Sequence, residues 1–268
     1  MRQPCLYIPH GAGPCFFMDW NPLDTWERLR HFLASLPELL PQRPRAILII
    51  SAHWEAAEFT VQTHPSPGLL YDYLGFPEPT YHISWPALGD PCLSERVVDL
   101  LQAATISTAT DALRGYDHGV FVPLKIMLPA ADVPCIQLSL HASLDPEVHC
   151  AAGEALAELR DDNVLIVGSG NSFHNMRELM ARAGSPQSES IGWEFDDWLT
   201  KAITTGSAEK RRTSLHHWVE APGARFAHPR EEHLAPLFVV AGAAWETVGE
   251  KIFEDHALGV VESAFIFR

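Results

Sequence analysis

The chain has 268 residues and is poor in three features that mark common non-enzymatic classes of protein. Its five cysteines are dispersed and form no CxxC pair, which favours reduced thiols in a cytoplasmic protein over a disulfide framework. Basic residues number 19 against 34 acidic ones, and the net charge of −15 argues against general attraction to nucleic acid or anionic lipid. We therefore expect neither a nucleic acid nor a membrane as partner.

Long apolar runs are the third feature that is scarce. The run from Leu237 to Trp245 is far shorter than the roughly 18 residues that a membrane span needs. The stretch from Met1 to His10 has neither a long apolar segment nor a cleavage site, so no secretion signal is predicted. Internal repeats and linkers are also missing. These absences predict one cytoplasmic domain that spans residues 1–268.

The apolar segments that are present are short and rich in Ile, Val and Leu, as in strands that are covered on both faces. The predicted strands are Cys5–Pro9, Ala46–Ser51, Val133–Ser139, Asn163–Gly168 and Gly259–Phe267. Amphipathic helices begin at Asp90-Pro91 and Asp145-Pro146, each with Asp as N-cap and Pro at the first helical position. This alternation predicts an α/β fold: a mostly parallel central sheet with helices on both faces.

Histidine is abundant, with 14 in the chain, and its placement is informative. His10, His53 and His174 each follow the carboxyl end of a predicted strand. Ligands of open α/β sheets bind at that edge, and imidazole is a common ligand of zinc and iron. The pattern predicts a metal site at the carboxyl ends of the strands.

Each histidine also has a plainer interpretation. His10 is compatible with an ordinary loop residue, and His53 with a half-buried residue stacked on Trp54. His233 begins an apolar helical pattern that continues through Leu237, Val240 and Ala241, so it either points into the site from the first turn of that helix or is solvated. His118 lies in a polar turn before an apolar segment and is compatible with a turn residue.

The other histidines have no such setting. We expect His31, His64, His149 and His256 to lie on the surface, and we assign no place to His82, His216 and His217. The aromatic neighbours of the histidine motifs are candidates either for the wall of a substrate pocket or for core packing. They are Trp54, Phe76 and Tyr116.

Five motifs then occur in a recognisable order. They are His10-Gly11, Ser51-Ala52-His53-Trp54, Tyr116-Asp117-His118-Gly119, Gly168-Ser169-Gly170-Asn171 through His174-Asn175, and Glu232-His233 through Pro236-Leu237. Together they resemble the DOPA-dioxygenase-like branch of the class III (LigB-type) extradiol ring-cleaving dioxygenases. The resemblance covers nearly the whole chain, from His10 to about Ala244.

The resemblance implies roles for individual residues. His10, His53 and His233 would be the metal ligands, and His174 would be the active-site acid/base or a fourth metal contact. His118 would orient the substrate or bound oxygen. Weaker site candidates are His228, from the Ala227-His228-Pro229 motif, and Glu232.

Two departures from the family pattern bear on the site. In the wider superfamily a glutamate is the third ligand, whereas His233 stands at that position here, next to Glu232. An all-histidine site also suits zinc. The loop Gly11-Ala12-Gly13-Pro14 stands where many members have Gly-Ser-Pro, which predicts an altered substrate pocket.

The predicted activity is therefore extradiol cleavage of a catechol at one non-haem Fe(II), with Zn(II) possible in the site as isolated. The predicted partners are a small catecholic substrate and O2, and we expect a monomer or a small homo-oligomer. One alternative is a zinc-dependent hydrolase that uses the same histidines to activate water. Another is a non-catalytic metal-binding or interaction protein, since a fold does not fix a function.

Overall fold

The computed structural model describes residues 1–180 and 186–268. Its strands are β1 (Cys5–Ile8), β2 (Ala46–Ala56), β3 (Phe59–Gln62), β4 (Thr108–Asp111), β5 (Cys135–His141), β6 (Val164–Ser169), β7 (Glu250–Asp255) and β8 (Glu262–Phe267). Its helices are α1 (Glu27–Ser35), α2 (Pro91–Ala103), α3 (His118–Met127), α4 (Pro146–Leu156), α5 (Met176–Met180), α6 (Pro186–Thr204), α7 (Ala208–His216), α8 (Ala224–Ala227) and α9 (Ala235–Ala243).

The eight strands form one sheet in the order β4-β3-β5-β2-β6-β1-β8-β7. The four central strands β5, β2, β6 and β1 run parallel to one another. Antiparallel pairs occur outside this centre, between β3 and β5, β1 and β8, and β7 and β8. The predicted α/β fold with a mostly parallel central sheet is confirmed. The carboxyl ends of β1, β2 and β6 consequently meet at one edge.

Hydrophobic residues cover both faces of this sheet. Successive residues of a strand point to opposite faces, and along β2 Leu48 and Ile50 belong to one buried cluster while Ile47 and Ile49 belong to the other. The first cluster includes apolar residues of α2, α4 and α9, and the second includes those of α1 and α3. Helices therefore cover the sheet on both sides, as predicted.

The starts of two helices follow the predicted chemistry. The Asp90 side chain accepts a hydrogen bond from the backbone N–H of Leu93, and the Asp145 side chain accepts one from that of Glu147. Each aspartate satisfies a donor that the first helical turn leaves without a partner, and the proline after it has no N–H to satisfy. Both predicted N-caps are confirmed.

The predicted strand boundaries differ from the structure most at the end of β2 and at the start of β8, in both cases for local reasons. β2 continues to Ala56, so His53 lies within a strand instead of after it, at a point where the pairing with β5 is irregular between Ile50 and Glu55. β8 begins at Glu262 instead of Gly259, because Leu258 and Gly259 have φ values of 57° and 78°, which make a turn.

Strands β3, β4 and β7 were not predicted at all. β4 consists of Thr-Ala-Thr-Asp, and β7 carries four charged residues among its six. Neither has the apolar run that reveals a strand in a sequence. Of the helices in the described residues, none is both long and apolar enough to cross a membrane.

The histidines that were predicted to lie on the surface differ in burial. His31 and His256 are exposed, and His64 is half-buried. His149 is fully buried, so that prediction is wrong. Its Nδ1 lies 2.8 Å from the Asp145 carbonyl oxygen, and its Nε2 accepts a hydrogen bond from the His141 backbone N–H at 3.2 Å. These partners satisfy both ring nitrogens, which makes burial of a neutral imidazole possible.

Candidate metal site

Three of the predicted histidines meet at the carboxyl edge of the sheet. His10 follows β1, His53 lies in β2, and His233 lies in the turn before α9. One ring nitrogen from each of the three lies within 4.8 Å of the other two, so they could hold one metal ion. The Nε2 atoms of His10 and His53 are only 3.1 Å apart. Residues that are distant in the sequence thus converge on one point.

The ring of His10 is held in one tautomer. The Ser169 hydroxyl donates to the Gly119 carbonyl oxygen, so it must accept from Nδ1–H of His10, at 3.1 Å. This leaves the lone pair of His10 on Nε2, the atom that faces His53. Asn171 fixes the backbone on both sides, because it accepts from the His10 N–H and donates to the Gly11 carbonyl oxygen.

Beneath His53 lies the buried carboxylate of Asp117. It accepts hydrogen bonds from Ser51 Oγ at 2.7 Å and from Arg114 at 3.0 Å. Ser51 Oγ in turn accepts from the His53 backbone N–H, and Arg114 donates to the His53 carbonyl oxygen. These hydrogen bonds fix the backbone of His53 within the irregular part of β2.

His233 is positioned by its backbone. Its carbonyl oxygen accepts a hydrogen bond of 2.7 Å from the hydroxyl of Tyr7 in β1. Gly170 lies so close that a Cβ there would be 2.1 Å from the same oxygen. The prediction that His233 belongs to the first turn of the helix is wrong by two residues: α9 starts at Ala235, and Pro236 lies in its first turn, where proline is favoured.

His174 stacks directly on His233. Their ring centroids are 3.3 Å apart at an interplanar angle of 16°, and the Nδ1 atom of each lies 3.1 Å from the same oxygen, Oε1 of Glu232. Because the rings are nearly parallel and share this partner, their Nε2 atoms point in a similar direction. His174 thus presents Nε2 beside that of His233, while the carboxylate of Glu232 lies behind both rings.

His118 occupies the corresponding place on His53. It is the first residue of α3, and its ring centroid lies 3.8 Å from that of His53 and 5.5 Å from that of His10. Its Nδ1 is 2.8 Å from Oδ1 of Asp72. Two further histidines therefore flank the three that converge, and each has a carboxylate on its Nδ1.

The electrostatics of the site favour neutral imidazole. Burial, followed by the charges of neighbouring histidines, lowers the pKa values of His10 and His233 well below the usual range. Burial likewise lowers the pKa of His53 well below that range. Burial raises the pKa of Glu232, but the hydrogen bond from His174 and nearby charges outweigh it, and the net shift is downward. The rings are thus neutral, as metal ligation requires, beside an ionised carboxylate.

This donor set fits a divalent cation. The Ser169 contact leaves a lone pair on Nε2 of His10, and at 3.1 Å from Nε2 of His53 this lone pair needs either a hydrogen on His53 or a metal ion between the two nitrogens. Three protein ligands with open positions are typical of catalytic rather than structural sites. Imidazole nitrogen suits both zinc and iron.

Other predicted residues lie outside this cluster. His228 is buried, its Nε2 donates to the Ser172 carbonyl oxygen, and it packs against Phe195 and Trp218. Trp54 and Tyr116 are core residues with 5% and 0% exposure. Phe76 is half-buried and lies over Gly13, where a Cβ would be 2.7 Å from its ring.

The sequence analysis missed the residues that orient the histidine rings and backbones. Asp117, Ser169 and Asn171 occur in the quoted motifs, but they received no role. Asp72 stands outside every motif, in Tyr71-Asp72-Tyr73, and no pattern distinguishes it from a loop aspartate. Each acts through a contact with a residue at least 45 positions away, which only the fold reveals.

Fold and site together are those of an α/β protein with a histidine cluster that could hold a metal ion, and comparison with known proteins places the chain in a family. Residues 4–266 match the family model described as the catalytic LigB subunit of aromatic ring-opening dioxygenase, and the chain belongs to this family. It is 37% identical to dioxygenase tasH of Hapsidospora irregularis, over 96% of this chain and 83% of that protein. It is 39% identical to the 4,5-DOPA dioxygenase extradiol of Beta vulgaris, over 90% and 87%.

A solved structure is also similar. The crystal structure of an uncharacterized protein from Escherichia coli K12 superposes with a TM-score of 0.75 at 30% identity, and the match covers all of both chains. The resemblance to the LigB-type family that the five motifs indicated is therefore confirmed.

Proposed function

We propose that this protein is an extradiol ring-cleaving dioxygenase that opens a catecholic aromatic substrate at one non-haem Fe(II) ion. The observation that carries the proposal is the convergence of His10, His53 and His233 within 4.8 Å, with His118 and His174 against them. Two histidines beyond the three ligands are not needed to hold a metal. The dioxygenase names of the relatives support the same reaction class.

In this proposal His10, His53 and His233 hold the ion through neutral imidazole nitrogens. Fe(II) there would supply adjacent positions for a catechol and O2, and the electron transfer that ring opening requires. Both oxygen atoms of O2 enter the product, and the bond that breaks is the ring C–C bond next to the two hydroxyls. The whole chain acts as one catalytic domain.

His174 would serve as the acid/base. Its Nδ1–H is directed to Glu232, so Nε2 can accept the proton of a substrate hydroxyl. Glu232 lies in contact with the resulting imidazolium and would stabilise it. His118 would orient the substrate from the His53 side. His228 packs against Phe195 and Trp218, and its hydrogen bond to the Ser172 carbonyl oxygen would support the loop that carries His174.

The test is oxygen uptake by the Fe(II)-reconstituted protein under reducing conditions, with DOPA, caffeate and protocatechuate as substrates. We expect O2 consumption and a yellow, semialdehyde-type product. Zinc cannot change its oxidation state, so the Zn-loaded protein is expected to be inactive in the same assay. Ester or amide hydrolysis by the zinc form, with no reaction of the iron form across the catechols, would instead establish the hydrolase alternative.

A further inference from the structure

Asp72 makes the one carboxylate contact to His118 that the structure describes at this site. Its Oδ1 accepts two hydrogen bonds from the same residue, from the His118 backbone N–H at 3.0 Å and from the ring Nδ1 at 2.8 Å. The Asp72 side chain is 19% exposed, so the contact is largely shielded from water. A single oxygen thus fixes both the main chain and the ring of His118.

The segment that carries Asp72 is itself held in place. Leu69 pairs with Tyr116, and the backbone N–H of Leu70 donates to the Tyr116 carbonyl oxygen at 2.7 Å. The Tyr116 N–H donates in return to the carbonyl oxygen of Gly68. Tyr116 precedes His118 by two residues, and Leu70 precedes Asp72 by two. The hydrogen bonds between these two segments therefore hold Asp72 next to His118.

This contact determines which nitrogen of His118 carries hydrogen. A carboxylate accepts but does not donate, so the ring must offer Nδ1–H to Asp72, and Nε2 can then carry the lone pair. The same arrangement occurs on the other flank, where Oε1 of Glu232 faces the Nδ1 atoms of His174 and His233. Both flanking histidines are therefore supported in the same way, by a carboxylate behind the ring.

We propose that Asp72 is a positioning residue that holds His118 in the Nδ1–H tautomer, so that Nε2 accepts a hydrogen bond from a catechol hydroxyl. This inference rests on the proposed function for the role of His118. The outer partners of metal-binding histidines typically change affinity or activity by about 10- to 100-fold when they are removed, and we expect an effect of that size on activity for Asp72. One oxygen of Asp72 lies within 4.8 Å of a nitrogen of His53, but the hydrogen bonds of Oδ1 both come from His118, so removal of Asp72 should spare metal binding.

The experiment compares Asp72→Ala, Asp72→Asn and the control Asp90→Ala. The control is matched because the Asp90 side chain is also 19% exposed and also accepts two hydrogen bonds, from the Leu93 backbone N–H and from Arg45. Arg45 precedes β2, so Asp90 lies at the amino end of that strand, at the edge of the sheet opposite His53. Nitrogen-15 NMR of histidine-labelled, Zn-loaded protein near pH 8.5, about two pH units above the usual histidine pKa, reports the tautomer of His118. A His118→Gln variant assigns the signal.

We expect Nδ1–H in the wild-type protein and in Asp72→Asn, whose amide oxygen still accepts. In Asp72→Ala the signal should shift towards Nε2–H while zinc content is unchanged. With Fe(II), kcat should fall about 10- to 100-fold in Asp72→Ala with little change in KM, and Asp72→Asn should recover part of it. Asp90→Ala should alter neither the tautomer nor kcat.

Three results would overturn the assignment. An unchanged tautomer in Asp72→Ala would mean that Asp72 does not set it. Loss of zinc in Asp72→Ala would make Asp72 a ligand, and an equal loss of kcat in Asp90→Ala would make the effect purely structural. The NMR and zinc measurements need no turnover. If the wild-type protein opens no catechol, the proposed function fails. The NMR and zinc measurements still decide whether Asp72 sets the tautomer of His118.

Discussion

At the scale of the residue, the third metal ligand has two adjacent candidates, Glu232 and His233. Glu232 Oε1 lies 3.1 Å from Nδ1 of His233, which places the carboxylate behind the imidazole and leaves Nε2 for the metal. A ligand and its supporting partner respond differently to removal. Loss of the ligand leaves an incomplete site, whereas loss of a supporting carboxylate typically costs about 10- to 100-fold in affinity.

We therefore predict that His10→Ala, His53→Ala and His233→Ala each lose stoichiometric binding of one divalent ion. Glu232→Gln should still bind one ion, with affinity reduced by about 10- to 100-fold. Metal analysis after dialysis, followed by zinc titration, measures both effects. Full metal content in His233→Ala together with loss in Glu232→Gln would assign the ligand to the carboxylate.

A second prediction at this scale separates ligation from proton transfer. His174→Ala should keep its metal and lose about 10²- to 10⁴-fold in kcat, the usual contribution of a general acid/base. His217→Ala is a suitable control, since that histidine is exposed and its Nδ1 lies 2.9 Å from the Thr213 carbonyl oxygen, one turn back along α7. If His174→Ala lost its metal as completely as His10→Ala, His174 would be a fourth ligand.

At the scale of the element, helix α9 depends on a very close approach to α4. A Cβ on Gly153 would lie 2.0 Å from the Val239 carbonyl oxygen, and one on Gly242 would lie 2.1 Å from that of Cys150. Alanine gains about 1 kcal/mol over glycine in a helix interior. A Cβ at either position would overlap a backbone oxygen, however, and the two helices would have to move apart to accommodate it. The steric cost of this movement should exceed the gain in helix propensity.

We accordingly predict that Gly153→Ala lowers the free energy of unfolding by about 1–3 kcal/mol despite its better helix propensity. Because α9 directly follows His233, zinc affinity should fall as well. Urea unfolding and zinc titration test both effects. Gly68→Ala is the control, since a Cβ there meets nothing within 4 Å. Unchanged stability in Gly153→Ala would show that the two helices can separate at little cost.

At the scale of the whole molecule, the buried His149 makes stability depend on pH. Burial lowers its pKa from 6.5 to about 4. The unfolded chain therefore binds a proton at this residue at a higher pH than the folded protein does. The stabilisation is complete above pH 6.5 and is lost as the pH falls towards 4, because protonation then favours the unfolded chain.

The shift means that protonation of this one side chain lowers the free energy of unfolding by about 3 kcal/mol between neutral and acidic pH. We predict that His149→Gln reduces the loss of unfolding free energy between pH 7 and pH 4.5 compared with the wild type. Urea unfolding of the metal-free wild type and of metal-free His149→Gln, each at pH 7 and pH 4.5, measures this effect. The other histidines are the same in both proteins, so their contributions cancel when the two pH dependences are subtracted. His31→Gln, at an exposed position, should match the wild type. Equal pH dependence in all three proteins would contradict the prediction.

The sequence alone determined the elements that depend on local patterns. Buried parallel strands need continuous apolar runs, which made β1, β2, β5 and β6 recognisable, and the capping chemistry of Asp90 and Asp145 requires only the next few residues. The carboxyl ends of parallel strands meet at one edge, so the placement of His10 and His53 already predicted a common site. The family motifs then supplied roles for particular histidines.

Only the tertiary structure decided how each ring is oriented and which residues orient it. The Ser169–His10, Glu232–His174 and Asp72–His118 contacts join residues that are 159, 58 and 46 positions apart. Their geometry depends on the path of the chain and on side-chain rotamers. The burial of His149 was hidden as well. Its hydrogen-bond partners are only 4 and 8 positions away, but its ring packs against Phe59 of β3, which only the fold brings beside α4. A periodic pattern records which face of an element is apolar, but a hydrogen bond between distant segments exists only once the sheet has brought their ends together.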